Sequence, residues 1–465
     1  MFHQDAHASE KPSASHRSRS ARPFIGKRGV RRTAKGSAIA GGRVALTTPV
    51  PARRASAFQS DPRVSSVYPQ ARNGRLFRRS CSVIVATIAV VASMAPGPAQ
   101  GKGPDSGSKR VAITDLGTLG GGFSAPIDLN DRGQVVGVSV GPGETALRGF
   151  VWNDGAMGDF GSLGGPQAAA ASINSTGQIG GWSDLDVPAP PSIFNTTSLF
   201  CNPPMVEGQA PVACHAVLRD RGRLVDLGTL GGLNSAAQNK GINDGGQVVG
   251  VAETTQVDPT GTAGSHRFHA FLWQRDGQNG GGHMIDLGTL GSDPNSSASG
   301  INDRGQIIGV SVANSATFNG DNGRGFTWNH GRITPLKTLG GTYGLPLAIN
   351  NRGDIVGLSN LAGDLNRHAT LWRNGRTVDL GTLPGDGFSE ATDITDTGLI
   401  VGFSCGPIGC RAVRWDGRQI TDLASALAPK EQWQLLDAQA VNAQGQVVGS
   451  GQHGDLPHGY IVTLR

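Results

Sequence analysis

Short apolar runs alternate with tight-turn residues throughout residues 111–465, and they recur in a fixed order. The motif Ile-Asn-Asp-Arg-Gly-Gln-Ile-Ile-Gly occupies 301–309, and its relatives begin at Leu129, Ile173, Ile242, Ile349, Ile394 and Val441. The closing glycines of the seven copies are 44, 69, 59, 48, 45 and 47 residues apart. Spacings of this size are typical of solenoids and propellers, so the pattern predicts a repeat architecture.

Each repeat predicts four short strands. An apolar stretch ends in Ile-Asn, an Asn/Asp–Gly turn follows, and a run such as Gln306–Ser311 returns, which predicts a β-hairpin. After a variable loop come a third run, such as His269–Trp273, a second glycine turn and a fourth run, such as Asp286–Gly291. Four strands in about 45–50 residues is the period of a propeller blade.

The two ends of the repeat region complete each other. Val111–Leu119 matches a fourth strand without its preceding three, whereas the last repeat ends with a third strand at His458–Leu464. Pairing these strands closes a ring and removes an exposed sheet edge, and an open solenoid would instead need polar caps. We therefore predict an all-β fold, a seven-bladed β-propeller over residues 111–465 whose N-terminal strand closes the last blade.

These motifs resemble those of the bacterial extracellular HAF-repeat family, named for a His-Ala-Phe such as 269–271. The Asp-Leu-Gly-Thr-Leu-Gly-Gly and Ile-Asn-Asp-x-Gly-Gln-Val-Val-Gly elements belong to the same pattern, which covers about residues 111–465. The resemblance implies export and a repeat β-structure, and it implies no active-site residues. This sequence departs from the pattern at Thr395, which replaces Asn, and at 422–429, where the Gly-Gly pair is missing.

Charge divides the chain into a basic leader and an acidic body. Residues 1–79 hold 17 Lys/Arg against 3 Asp/Glu, which leaves 24 basic and 32 acidic groups in residues 80–465. The leader lacks apolar periodicity, so we expect residues 1–79 to be a disordered basic extension. The acidic body argues against nucleic-acid binding, which needs basic groups to neutralise phosphates.

A secretory signal is predicted at residues 80–100. The basic cluster Arg75–Arg79 precedes an apolar run, Val83–Ala95, and the small residues 97–99 follow, with cleavage expected after Ala99 or Ala95. This run is too short to span a bilayer, which takes about 20 residues. Signals normally begin near residue 1, so either translation starts near Arg75 or residues 1–79 are a functional extension. A twin-arginine signal matches less well than a simple charged region.

The four cysteines after residue 100 form two local pairs. Cys201 and Cys214 are thirteen residues apart, and Cys405 and Cys410 are five apart. An even number in local pairs predicts two disulfides in an exported chain. Neither pair has the close spacing of a metal site, and we expect no metal or cofactor.

One basic residue opens the third strand of every repeat. These residues are Arg148, His215, His269, Arg324, His368, Arg411 and His458. They could ring a ligand channel, but Arg is not an ordinary metal ligand. The structural interpretation is one donor per blade that ties the third strand to a carbonyl or carboxylate. The tryptophans of the same strand could stack on sugars, although packing between blades is the more usual role.

Nearly all the large insertions fall on one predicted face, together with both cysteine pairs. They span 184–214, 253–267 and 312–323, in the loop between the second and third strands. Variable loops on a rigid scaffold are where binding residues usually lie, although these loops could also be solvated spacers. Five aromatic residues on this face are candidates for ligand binding: Phe194, Phe200, Phe318, Tyr343 and Phe388.

The sequence carries no motif for nucleophilic, zinc or phosphate-loop chemistry. Asp184 with Asp186, or Glu253 with Asp258, could act as the paired carboxylates of a glycan hydrolase, although loop carboxylates are usually only solvated. We therefore predict a secreted or periplasmic monomer, a non-catalytic binding or adhesion module for a surface glycan or protein. The alternative is a secreted glycan-cleaving enzyme with its site on the loop-rich face.

Overall fold

The structure is a computed structural model that describes residues 111–464, apart from 144–145, 197–199, 202–204, 206–208, 262–263, 278–280, 319–322, 429–430 and 455. The predicted basic extension (1–79) and secretory signal (80–100) lie outside the described residues. No helix in the described part is long and apolar enough to cross a membrane.

The described residues form antiparallel four-stranded units, and we number them blades 1 to 7. Blade 1 contains β2 (Ser124–Leu129), β3 (Val135–Val140), β4 (Leu147–Asn153) and β5 (Ala156–Asp159). Blade 2 contains β6 (Ala168–Ile173), β7 (Ile179–Pro188), β8 (Val212–Asp220) and β9 (Arg223–Asp226). Blade 3 contains β10 (Gly231–Ile242), β11 (Val248–Val257), β12 (His266–Arg275) and β13 (Gly282–Asp286). Blade 4 contains β14 (Asn295–Ile301), β15 (Ile307–Val312), β16 (Arg324–Asn329) and β17 (Arg332–Pro335). Blade 5 contains β18 (Gly340–Ile349), β19 (Ile355–Leu361), β20 (Arg367–Arg373) and β21 (Arg376–Gly381). Blade 6 contains β22 (Phe388–Ile394), β23 (Ile400–Gly406), β24 (Gly409–Asp416) and β25 (Gln419–Asp422). Among the described residues, one helical turn, α1 (Ile193–Thr196), and two 3-10 turns (Ser315–Thr317 and Leu423–Ala426) lie between strands.

Blade 7 is completed by the N-terminal strand. It contains β26 (Trp433–Leu435), β27 (Ala440–Val441), β28 (Gln446–His453) and β29 (Leu456–Thr463), together with β1 (Ile113–Asp115). β1 pairs with β29 in antiparallel register, with Ile113 opposite Val462 and Asp115 opposite Tyr460. The prediction of an all-β propeller whose N-terminal strand closes the last blade is confirmed.

Burial decreases from the first strand of a blade to the fourth. Every residue of β2 and β6 is buried, whereas the residues of β5, β9 and β17 are exposed or half-buried. This gradient is expected where first strands line the centre of a ring and fourth strands form its rim. The first strands therefore hold the positions from which side chains can reach the channel.

The repeated asparagine links each blade to the next. In Asn130, Oδ1 accepts hydrogen bonds from the backbone of its own turn, and Nδ2 donates to the carbonyl of Asn174 at 3.1 Å. The same bond joins successive blades up to Asn350, and Asn442 of blade 7 donates to Asn130 of blade 1 at 3.0 Å. Thr395 has no amide to donate, so the ring is interrupted between blades 6 and 7.

The closing glycine of each motif is required by a close approach of two strands. A Cβ at Gly250 would lie 2.1 Å from the carbonyl oxygen of Ala236 on the neighbouring strand, and one at Gly357 would lie 2.0 Å from that of Leu345. No side chain fits at such distances. The most regular residues of the sequence therefore serve the scaffold.

Candidate functional site

The loops of the propeller lie on two faces of different character. One, the loop-rich face, carries the connections between second and third strands and those between successive blades. The other, the short-turn face, carries the Asn/Asp–Gly turns and the turns between third and fourth strands. All three insertions predicted from the sequence lie between the second and third strands of blades 2, 3 and 4, on the loop-rich face.

The exposed large hydrophobic side chains all lie on the loop-rich face, among the residues that the structure describes. They are Val187, Met205, Leu233, Val257, Leu365, Ile408 and Leu456. Leu365 is 73% exposed and Ile408 is 59% exposed, and they belong to the corresponding loops of neighbouring blades 5 and 6. Single exposed hydrophobic residues need no explanation, but all seven of these lie on one face of the propeller.

Both predicted disulfides are present, and both lie on this face. Cys201 bonds to Cys214 within the insertion of blade 2, and Cys405 bonds to Cys410 across the hairpin of β23 and β24. The backbone N–H of Cys214 donates to Asn234 Oδ1 of blade 3 at 3.1 Å. The largest insertion is therefore tied both to itself and to the next blade.

An aromatic cluster holds the blade 2 insertion down. Phe194 lies 4.8 Å from Phe200 between ring centroids, and Phe200 lies 5.4 Å from Phe268 of blade 3 and 6.4 Å from Phe318 of blade 4. Such separations are favourable for aromatic pairs. The same hydrophobic cluster includes Ile127 of the blade 1 inner strand. The insertion thus packs across several blades as a small core.

Three of the five aromatic residues predicted to bind a ligand are buried. Phe194 is 0% exposed, Phe200 7% and Tyr343 2%, whereas Phe318 and Phe388 are half-buried. Phe194 and Phe200 pack within the hydrophobic cluster of the blade 2 insertion, and Tyr343 packs against blade 4. These three rings are covered by neighbouring side chains in this structure, and the ligand-binding role of the five aromatic residues stays a prediction.

A surface pocket of about 450 Å³ lies on the loop-rich face between blades 5 and 6. Leu365, Arg367, Phe388 and Cys405 are among the residues that line it. The Arg367 guanidinium carbon lies 5.7 Å from the ring centroid of Tyr343 and 5.8 Å from that of Phe388. Cation–π contacts of this kind fix the direction of the arginine. The pocket combines an exposed leucine, an oriented cation and a disulfide-braced wall.

Every basic residue that opens a third strand is paired with an aspartate, at 2.7 to 2.9 Å. The pairs are Arg148–Asp159, His215–Asp226, His269–Asp286, Arg324–Asp293, His368–Asp379, Arg411–Asp386 and His458–Asp115. Burial by itself would raise the pKa of Asp286, but hydrogen bonds from His269 and Gly288 more than offset burial, so this pKa lies below its ordinary value. The donors are occupied within the scaffold and do not converge on a ligand.

The repeated tryptophans pack between blades. Trp152, Trp273, Trp372 and Trp415 are buried, and Trp328 is half-buried. Trp372 Nε1 donates to the carbonyl of Lys337 at 2.6 Å, and Trp415 Nε1 donates to that of Leu380 at 3.0 Å. Both acceptors belong to the preceding blade or to the connection that leaves it.

Two of the four candidate catalytic carboxylates accept hydrogen bonds that join neighbouring strands and loops. Glu253 accepts hydrogen bonds from Leu233 and Asn234, and Asp258 accepts from Asn295, Thr260 and Ser315. Asp184 is buried, and burial raises its pKa to about 7, whereas Asp186 is exposed. The described residues contain no group of three or more His, Cys, Asp or Glu side chains placed to hold a metal ion.

Two carboxylates do converge, but in the central channel. Lys240 of blade 3 reaches Asp128 of blade 1 at 2.5 Å and Asp393 of blade 6 at 2.8 Å. Asp128 also accepts the backbone N–H of Ile173, and Asp393 accepts that of Val441, each from the following blade. The surrounding cavity measures only about 40 Å³, which is room for a water molecule and not for a sugar.

The electrostatics of this cluster follow from burial and mutual attraction. Burial raises the pKa of Asp128, although the Lys240 ammonium acts in the opposite direction. Burial alone would lower the pKa of Lys240, but the two carboxylates more than offset it, so the pKa lies above its usual value. The cluster is a fixed cross-brace between three blades.

Lys240 was missed by the sequence reasoning, although a signal existed. Repeat 3 carries two extra residues, Gln238 and Asn239, immediately before it. The strand pairing of β10 is irregular between Ala237 and Ile242, and this bulge places Lys240 on the channel. A charged residue beside an insertion in the innermost strand is therefore the sequence pattern that indicates this cluster.

No protein-family model matches this sequence, and the comparison with curated proteins gives no match. The resemblance to HAF repeats therefore stays a prediction. Among solved structures, the chain is similar to an acylaminoacyl peptidase of Pyrococcus horikoshii at 12% identity and a TM-score of 0.42, covering 73% of this chain and 51% of the peptidase. The chain thus spans about half the length of that enzyme.

Two further similarities are of the same order. Polysaccharide lyase Uly1 is 10% identical with a TM-score of 0.42, covering 81% of this chain and 94% of the lyase. TolB from Acinetobacter baumannii is 12% identical with a TM-score of 0.35, covering 75% of this chain and 65% of TolB. Likenesses this distant support no inference about activity.

Proposed function

We propose that this chain is an exported, non-catalytic binding module whose loop-rich face docks a protein partner. The observation that carries the proposal is the placement of all exposed large aliphatic side chains of the described residues on that one face. Apolar side chains gathered on one face of a soluble protein mark an interaction site. The two disulfides support export, since disulfides persist in oxidising compartments.

A protein partner fits this surface better than a glycan. The exposed side chains are aliphatic, and most of the aromatic rings that could stack on sugars are buried. Leu365, Arg367 and Ile408 lie around the pocket of blades 5 and 6 or in its disulfide hairpin. Arginine and apolar residues around a partly desolvated pocket are typical of the centre of a protein interface.

The disulfides also suit a docking role. Rigid loops lose little conformational entropy when they bind, so pre-organised loops bind more tightly than mobile ones. The Cys405–Cys410 bond holds Ile408 at the tip of its hairpin. The blade 2 insertion is held in the same way by its own disulfide and by the phenylalanine cluster.

The test is retention of the labelled protein on the surface of the cells that produce it. We expect wild type to bind, and we expect the double variant Leu365→Ser/Ile408→Ser to lose at least tenfold in affinity. The matched control, Arg304→Ser/Arg418→Ser, changes two exposed residues on the short-turn face and should leave binding unchanged. Circular dichroism checks that all variants are folded.

Treating the cells before binding separates the kinds of partner. Protease treatment should abolish retention and periodate treatment, which oxidises sugars, should not. Loss after periodate alone, of retention that Leu365→Ser/Ile408→Ser also weakens, would assign the face to a glycan instead. Equal binding by the Leu365→Ser/Ile408→Ser variant and wild type would contradict the assignment of this face.

A further inference from the structure

A cavity of about 430 Å³ separates blades 4 and 5 and opens on the short-turn face, away from the docking surface. Its origin is visible in the sequence. In blade 3 the cross-strand pair Leu272 and Ile285 fills the corresponding space, and in blade 5 the pair is Leu371 and Val378. Blade 4 instead carries two threonines in this register, Thr327 and Thr334.

The two walls of the cavity differ in chemistry. Because side chains alternate along a strand, Thr327, Asn329, Arg332 and Thr334 share the side of blade 4 that faces blade 5. The opposite wall is aliphatic and includes Ile355. A polar wall facing an apolar wall suits a ligand that has a hydroxylated side and an apolar side.

The polar groups of this wall are available for a ligand. Within the described residues, the hydroxyls of Thr327 and Thr334 and the guanidinium of Arg332 have no hydrogen-bond or ion-pair partner. Gln306 at the rim accepts from Asn302 Nδ2 through Oε1, at 2.8 Å, and its amide N–H groups have no hydrogen-bond partner among the described residues. Arg332 is the only charged residue among the described residues that line the cavity. The cavity therefore favours an anion.

We propose that this cavity binds a saccharide that carries a carboxylate, of the uronic acid class. Its carboxylate would pair with Arg332, whose planar guanidinium matches two carboxylate oxygens. The ring hydroxyls would exchange hydrogen bonds with Thr327, Thr334 and Gln306, and the apolar side of the ring would lie against Ile355. The cavity volume falls within the range of small-molecule sites, about 300–1,000 Å³.

The experiment titrates the full chain with digalacturonate and with its neutral counterpart galactobiose, followed by saturation-transfer NMR and calorimetry. We expect digalacturonate to bind with a dissociation constant of about 1 mM or tighter, and galactobiose to bind at least tenfold more weakly. Arg332→Gln should weaken digalacturonate binding at least tenfold. Arg376→Gln is the matched control, because Arg376 has the same register in blade 5 and should not affect binding.

A second variant tests the cavity itself. Thr327→Leu/Thr334→Ile introduces the blade 3 pair, so it should abolish binding while the thermal unfolding temperature stays equal or rises. Absence of digalacturonate binding to wild type would overturn the proposal. Equal binding by the filled or Arg332→Gln variants would do the same, and so would equal affinity for the neutral disaccharide.

Discussion

The substitution Lys240→Met tests whether the channel cross-brace stabilises the ring. Methionine keeps much of the length of the side chain and removes the charge, so two buried carboxylates face each other without a cation. At an effective dielectric constant of about 20, two charges about 5 Å apart repel by about 3 kcal/mol. Breaking a buried ion pair by removing one partner costs about 3–5 kcal/mol. We expect a loss of this size in the free energy of unfolding.

The loss should depend on pH in a defined direction. Burial already raises the pKa of Asp128 in the folded state, and without the ammonium this pKa rises further above its unfolded value. Groups with a raised folded pKa bind more protons in the native state, so the stability they contribute is present at low pH and lost as pH rises. The penalty of Lys240→Met should therefore be smaller at pH 4.5 than at pH 7.

The assay is urea unfolding followed by tryptophan fluorescence at both pH values. A neutral triple variant, Lys240→Met with Asp128→Asn and Asp393→Asn, should recover most of the loss, since buried ion clusters can often be replaced by neutral groups at little cost. A change below about 0.5 kcal/mol for Lys240→Met at pH 7 would be ordinary for a surface residue and would refute the reasoning. An equal penalty at both pH values would also refute it.

Three further predictions concern the scaffold and its loops. Because burial raises the pKa of Asp184 to about 7, its contribution to stability falls as pH rises from about 4 to 7. Asp184→Asn should therefore flatten the dependence of the thermal unfolding temperature on pH over this range. An unchanged dependence on pH would contradict the raised pKa. Removing the Cys201–Cys214 disulfide by double serine substitution should cost about 3 kcal/mol and expose the blade 2 insertion to limited proteolysis, with intact digestion patterns arguing against a tethering role. Thr395→Asn should supply the missing donor to the carbonyl of Asn442 and stabilise the fold by about 0.5–1.5 kcal/mol; a neutral or negative shift of the urea midpoint would show that the ring does not need this bond.

The fold could be predicted from the sequence because its determinants are local and repeated. Turn glycines and the Ile-Asn motif predict each hairpin from residues that are close in sequence. Because the motif occurs seven times, the repeating unit of four strands is well defined. The closing strand could be predicted because β1 lacked partners of its own at one end and blade 7 lacked a fourth strand at the other. Disulfide pairing followed from the short separations of 13 and 5 residues.

The site could be predicted only as far as its face. Lys240 meets partners 112 and 153 residues away in sequence, and no local pattern indicates such contacts. Phe194 and Phe200 read as exposed loop residues because their burial depends on Phe268 and Phe318 of other blades. Aromatic side chains of loops are more stable when they pack on a neighbouring blade than when they remain in water. Which of them are buried therefore depends on tertiary structure.

Site-specific photo-crosslinking tests most directly whether the loop-rich face is the docking surface. A benzophenone amino acid at Ile408 should form a protease-sensitive adduct when the protein is irradiated on the cells that produce it. The same group at Arg418, exposed on the short-turn face, should form none. Adducts from Arg418 alone, or equal adducts from both positions, would contradict the proposed docking face.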